Sequence, residues 1–245
     1  MESKQKNILT LLLIVIIVII VGIIGYLGFE LINQNVKQKE AEKITDEFDS
    51  VVPTLSEEEI LENSLNDENS DDTSGQGANS SSGGSASGGS SSGGSTASYS
   101  SGGYSTSAVN ISGNWVAGTI TIPATNIKYS IFADPTRQAL EKGVGLIYTA
   151  NGLNHVGNTV IAGHNYRNSL FFSKNKNLKI GDKIIIKDCT GLEITYSIYN
   201  KFTTTSADAS FYQRETNGKR EITLSTCTDQ GTKTGERLII CAKEV

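Results

Sequence analysis

Three side chains of this 245-residue chain combine residue type and position in a way that could do chemistry: His164, Cys227 and Arg237. A thiolate is a good nucleophile near neutral pH, and an imidazole can serve as its acid/base partner. A guanidinium beside them can hold the oxyanion that develops when a carbonyl is attacked, or orient that carbonyl. Its pKa is too high for it to act as a base. Together the three would support acyl transfer through a thioester. Singly, each signal is weak: a cysteine at a strand end is more often structural, a histidine after Ala-Gly can simply cap a strand, and a lone arginine is commonly a surface charge. His155 reads as a surface residue of the 151–158 loop, Cys189 lies in a hairpin turn, and Cys241 reads as a small buried thiol. Three irregularly spaced cysteines with no CxxC indicate neither a disulfide framework nor a zinc site, and the odd number leaves at least one thiol free.

These residues need rigid elements to position them. In 221–227, Ile222, Leu224 and Thr226 alternate with Thr223 and Ser225, the period of a half-buried strand that stops on Cys227. A polar, glycine-containing segment, 228–235, leads to a second β-type run, 238–243, with Arg237 at its start. Residues 158–164 read as a short buried strand ending on His164. Upstream, 115–122 alternates and stops at Pro123, and 127–132 is a second strand closed by Asp134-Pro135. One helical turn is expected over 138–142 and another at 170–172. A hairpin pairs 183–187 with 192–199, and 206–218 is a polar loop. Many short strands with little helix predict an all-β domain, a closed barrel or a sandwich.

The rest of the chain has another texture. Residues 8–29 are apolar and free of charge, a run of 22. As a helix this run would extend about 33 Å, enough for a hydrocarbon core of about 30 Å. It is longer than the roughly 7–15 apolar residues of a cleaved signal, so an uncleaved transmembrane anchor is expected. Residues 1–7 are expected on the cytoplasmic side, although lysines flank the span at both ends. Between positions 46 and 72 there are eleven acidic residues and no basic ones, and 70–107 is nearly all Ser, Gly, Thr, Ala and Asn. Such segments bury too little apolar surface to order themselves. Residues 30–109 are therefore read as a disordered stalk, acidic and then Ser/Gly-rich, with partial helix open over 30–65, and 110–245 as the catalytic domain. That domain holds 16 basic and 11 acidic residues, without a Lys/Arg block, so no nucleic-acid partner is expected.

Thr-Leu-Ser-Thr-Cys227 followed by Arg237, with Val-Ile-Ala-Gly-His164 upstream, resembles the signature of the sortase family. The resemblance runs from about Trp115 to the C-terminus and includes Gly-Thr-Ile-Thr-Ile-Pro123 and Gly143-Val-Gly. It implies an eight-stranded β-barrel and a cysteine transpeptidase of class A or D type, held in the Gram-positive cell membrane by a single span with its catalytic domain extracellular. Cys227 would attack the Thr–Gly carbonyl of an LPxTG-like sorting signal, His164 would protonate the leaving amine, and Arg237 would hold the oxyanion or the substrate backbone. An amine of a peptidoglycan precursor would resolve the thioester. The resemblance also places Thr226, Ala162 and Ser225 as substrate-binding residues and makes the 206–218 loop a wall of the groove. It implies no cofactor, and no triad role for Asp229. Because 148–158 lacks acidic residues, no calcium or other metal is expected. A pilin-polymerising sortase, a thiol peptidase of another fold, and a stalked adhesin or binding module remain as alternatives.

Overall fold

The computed structural model describes residues 2–56, 58–59, 96–101 and 104–245. Residues 1–40 form one compact unit and 41–245 a second. The α-helices that position the site and the anchor are α1 (Glu2–Val51), α2 (Arg137–Leu140) and α3 (Gly231–Thr234). The strands are β1 (Thr96–Ser101), β2 (Tyr104–Ile111), β3 (Asn114–Ile122), β4 (Ile127–Phe132), β5 (Val144–Thr149), β6 (Gly157–Ala162), β7 (Lys183–Asp188), β8 (Glu193–Thr205), β9 (Arg220–Cys227) and β10 (Glu236–Glu244). They lie in one sheet in which β3 pairs back to β7, so the eight strands β3-β4-β5-β6-β9-β10-β8-β7 close into a ring. Closure decides between barrel and sandwich. The β1–β2 hairpin continues the sheet outside that ring.

An eight-stranded ring leaves an interior that side chains just fill. Ile120, Ile161, Ile186, Tyr196, Leu224 and Ile240 supply much of that filling. Phe171 and Phe172, from the β6–β7 connection, are fully buried in the same core. Because side chains alternate along a strand, Ile222, Leu224 and Thr226 face inward on β9 while Thr223, Ser225 and Cys227 face outward.

Several elements differ from the sequence reading. The chain as a whole is not all-β, because α1 alone has 50 residues. Residues 144–149 form β5, which earns its place by antiparallel pairing with β6. β8 continues to Thr205, its polar end held by the β10 ladder. The helical turn expected at 170–172 is instead a 3-10 turn at Asn175–Asn177, since Phe171 and Phe172 are taken into the core. β1 and most of β2 fall in the stretch expected to be stalk. Ser/Thr-rich sequence pairs there through its backbone, and Thr106 and Ala108 are buried. The rest of the Ser/Gly run, through residue 95, lies outside the described residues.

From Leu9 to Phe29 α1 is apolar, and it is long enough to cross a membrane. Its last turns belong to the barrel unit. Ile44, Phe48 and Val52 recur every four residues, so they form one stripe, and they are buried with Val109, Ile111, Val116 and Phe132. Thr45 Oγ1 and Ser130 Oγ lie 3.1 Å apart in a buried hydrogen bond. The Asp49 carboxylate bridges Lys128 and Lys187, the latter at 2.5 Å. Burial alone would raise the Asp49 pKa, but hydrogen bonds from the two lysines prevail and hold it below its ordinary value of 3.8. Lys187 Nζ also donates to the Val52 carbonyl (2.9 Å), and Leu55 N–H donates to the Gly191 carbonyl (2.8 Å).

Candidate active site

β6 runs parallel to β9, with Ala162 opposite Ser225, and β10 runs antiparallel to it, with Arg237 directly opposite Cys227. This pairing brings the ends of two strands and the start of a third to one rim of the barrel. Beyond the last ladder pair, Gly163 N–H still donates to the Ser225 carbonyl (3.2 Å), so His164 follows at the level of Cys227. Gly163 has no alternative there: a Cβ would lie 2.7 Å from the Phe172 ring and 2.9 Å from Val144.

Cys227, His164 and Arg237 are all half-buried. The Arg237 guanidinium donates through Nη1 to the Cys227 sulfur. The His164 ring packs on Tyr166, with centroids 5.1 Å apart, and its carbonyl accepts from Phe172 N–H (3.1 Å). The other two thiols are unlike Cys227. All three are free, but Cys189 and Cys241 are buried; burial pushes Cys189 up to about 12 and Cys241 also upward. A thiol kept protonated inside apolar surroundings is inert. Cys227 combines access with a cationic neighbour.

Of the residues expected to bind substrate, Ser225 and Ala162 lie on the outward row beside Cys227. Thr226 is buried and faces inward, and its hydroxyl donates to the Gly163 carbonyl (2.7 Å), tying β9 to the segment that carries His164. His155 is exposed and lies away from this rim, lining a separate cavity with Asp188 and Cys189.

Two residues that sequence reasoning passed over help build the site. Asn165 Nδ2 donates to the Cys227 carbonyl (2.9 Å) and to Asp229 Oδ1 (3.1 Å). A side chain next to His164 thus grips the backbone of Cys227. The signal was an amide residue directly after the histidine. The second is Arg214, in the β8–β9 loop. It donates to the Tyr199 hydroxyl (2.6 Å), Asn158 Oδ1 (3.0 Å) and Thr223 Oγ1 (3.2 Å), and it pairs with the Glu221 carboxylate. Asn158 Nδ2 in turn donates to the carbonyls of Phe211 and Tyr212, both at 2.9 Å. The loop is therefore latched onto the outer row of β6 and β9, where Phe211 packs with Val160, Ile239 and Cys241. Burial raises the Tyr212 pKa, and the Arg237 charge opposes this. A lone arginine in a polar loop gave no sign of this.

On its other side Cys227 borders a cleft of about 220 Å³ that also includes Asn165, Phe172, Thr228, Asp229 and Leu238. Among the described residues no group of His, Cys, Asp or Glu is arranged to hold a metal ion.

The sortase-domain family model matches residues 120–245, slightly more than half of the chain. Solved structures with similar folds include a sortase D5 transpeptidase of Clostridium perfringens, at 27% identity and TM-score 0.47, covering 53% of this chain and 79% of that one. Sortase A of Listeria monocytogenes matches at 25% identity and TM-score 0.47, covering 53% of this chain and 87% of that one. Sortase C1 of Streptococcus agalactiae matches at 21% identity and TM-score 0.48, with 53% and 69% covered. No curated protein matches the chain.

Proposed function

The chain belongs to the sortase family, and from that premise we propose that it is a membrane-anchored cysteine transpeptidase acting on an LPxTG-like sorting signal. The observation that carries this reading is the contact of the Arg237 guanidinium with the Cys227 sulfur, at a rim to which the β6–β9 ladder also delivers His164. Substrate lies along the outer row of β6 and β9, over Ala162 and Ser225 and against the latched β8–β9 loop. The Cys227 sulfur attacks the Thr–Gly carbonyl, and the developing oxyanion takes hydrogen bonds from Arg237, whose guanidinium has five N–H donors. The tetrahedral intermediate collapses with loss of the glycine amine, which takes its proton from His164. The product is a thioester on Cys227. An amine of the cell-wall precursor then attacks that thioester and regenerates the thiol. Thr226 and Asn165 act as positioning residues, since their hydrogen bonds go to the backbone of the two catalytic segments. The apolar part of α1 is the single membrane span, and residues 41–245 work outside it.

The experiment uses the full chain in detergent micelles with an LPxTG-type peptide and hydroxylamine, which traps the thioester as a hydroxamate. Wild type is expected to give the hydroxamate and Cys227→Ala none. Equal product from both proteins, or none from wild type, would sink the proposal.

A further inference from the structure

Beside Cys227, and on the side away from the β8–β9 loop, lies the 220 Å³ cleft at the barrel mouth. Its volume leaves room for a short alkyl arm with a polar head. Its base is apolar, formed by Phe172 and Leu238, both buried. Its rim carries one carboxylate, Asp229, two residues past the nucleophile. That carboxylate is held in place: Asn165 Nδ2 donates to Oδ1 at 3.1 Å while the same nitrogen donates to the Cys227 carbonyl at 2.9 Å. Its other oxygen, Oδ2, is occupied by the ammonium of Lys176 at 2.7 Å. Lys201, the remaining cation of the cleft, is engaged elsewhere, its Nζ donating to the carbonyls of Lys176 and Leu178 (2.5 and 2.9 Å).

A primary alkylammonium thus already sits at the mouth of the cleft, on a carboxylate fixed relative to the nucleophile's backbone. The pair is well exposed on both sides, 54% for Lys176 and 42% for Asp229. Exposed ion pairs of this kind contribute little, so another ammonium can take the place of Lys176 at small cost.

We propose that the Asp229 cleft is the acceptor site of the transfer reaction, and that it receives the primary alkylammonium end of the incoming amine in exchange for Lys176. The inference rests on the function proposed above and specifies where its second substrate binds. Once docked, the ammonium gives one proton to solvent, and an N–H of the resulting amine stays bonded to Asp229 with the lone pair turned toward the thioester carbonyl. The C–N bond forms as the C–S bond breaks, sulfur leaves with the bonding electron pair, and the second amine proton passes to His164. The sorting signal and the amine therefore approach Cys227 from different sides, the first over the outer row of the sheet and the second through the barrel mouth.

The readout is the partition of the thioester between amine and water. The full chain in micelles is given an LPxTG-type peptide with increasing Nα-acetyl-lysine methylamide as the probe amine, and amide and acid products are counted by mass spectrometry. Asp229→Asn is expected to raise the amine concentration at half-maximal transfer by about fivefold, the scale of one exposed ionic contact. Lys176→Gln, which frees the carboxylate, is expected to lower it by about two- to threefold. Release of the leaving group in the absence of amine should be unchanged in Lys176→Gln. A merely structural ion pair would make the two variants shift alike; shifts of the same sign, or none, overturn the acceptor site. Absence of any leaving-group release from wild type overturns the proposed function itself and the acceptor site with it.

Discussion

Phe48→Ala tests whether the end of α1 is structurally part of the barrel. The ring is fully buried among Ile44, Val52, Ile111, Val116 and Phe132, with the Lys187 ammonium 5.5 Å from its centroid. Truncating a buried Phe to Ala costs about 3–5 kcal/mol through lost transfer energy and the cavity left behind. The loss is capped by the docking energy of the whole segment, because a weakly held segment would detach before the cavity cost was felt. Ile44, Phe48 and Val52 contribute about 1.5–3 kcal/mol each on burial. The ion pairs and hydrogen bonds of Asp49, Lys187 and Leu55 add to that, so the cap lies above the truncation cost. For a domain of this size 1 kcal/mol corresponds to about 2–4 °C in Tm, giving an expected drop of about 6–20 °C. Differential scanning calorimetry of the full chain in micelles would measure it, with Phe48→Leu as a milder control. A drop below about 2 °C for Phe48→Ala would refute the docking argument, since no tightly packed phenyl ring can be removed so cheaply.

Two further outcomes are expected. Asp49→Asn should lower Tm at neutral pH, and the gap to wild type should close as the pH falls. The folded pKa of Asp49 is depressed, so its contribution is present above the ordinary value of 3.8 and is lost as the pH drops beneath it; Tm measured against pH for both proteins checks this, and a gap that widens in acid would contradict it. Arg214→Ala should cost about 3 kcal/mol, because it leaves the Glu221 carboxylate buried without its partner. Adding Glu221→Gln should restore part of that loss in chemical denaturation, whereas additive losses would show that the latch is not an ion pair.

The sequence by itself nominated His164, Cys227 and Arg237 and determined on what kind of element they lie. β3, β4, β6, β9 and β10 were legible because one face of each is buried, so apolar residues recur at the period of the pleat or run together. The apolar start of α1 was legible from its length. Strands with little apolar patterning of their own were not. β5 is short and flanked by glycine, the end of β8 is polar, and β1 and β2 are Ser/Thr-rich; each is held by hydrogen bonds to a neighbouring strand, which leave no mark on local composition. The stripe Ile44, Phe48, Val52 was passed over, because its acidic surroundings read as solvated chain; its role depends on barrel strands that supply its apolar partners and on Lys128 and Lys187, which meet Asp49.

For the site, residue type nominated Cys227, and tertiary structure separated it from Cys189 and Cys241. Three thiols of identical chemistry differ only in burial and in their neighbours, and both depend on strands far apart in the chain. Ladder register alone sets Arg237 opposite Cys227 and brings His164 level with them. The roles of Asn165, Arg214 and the Lys176–Asp229 pair arise wholly from the fold, because each depends on a polar side chain reaching across strands or loops to a partner that sequence proximity cannot reveal.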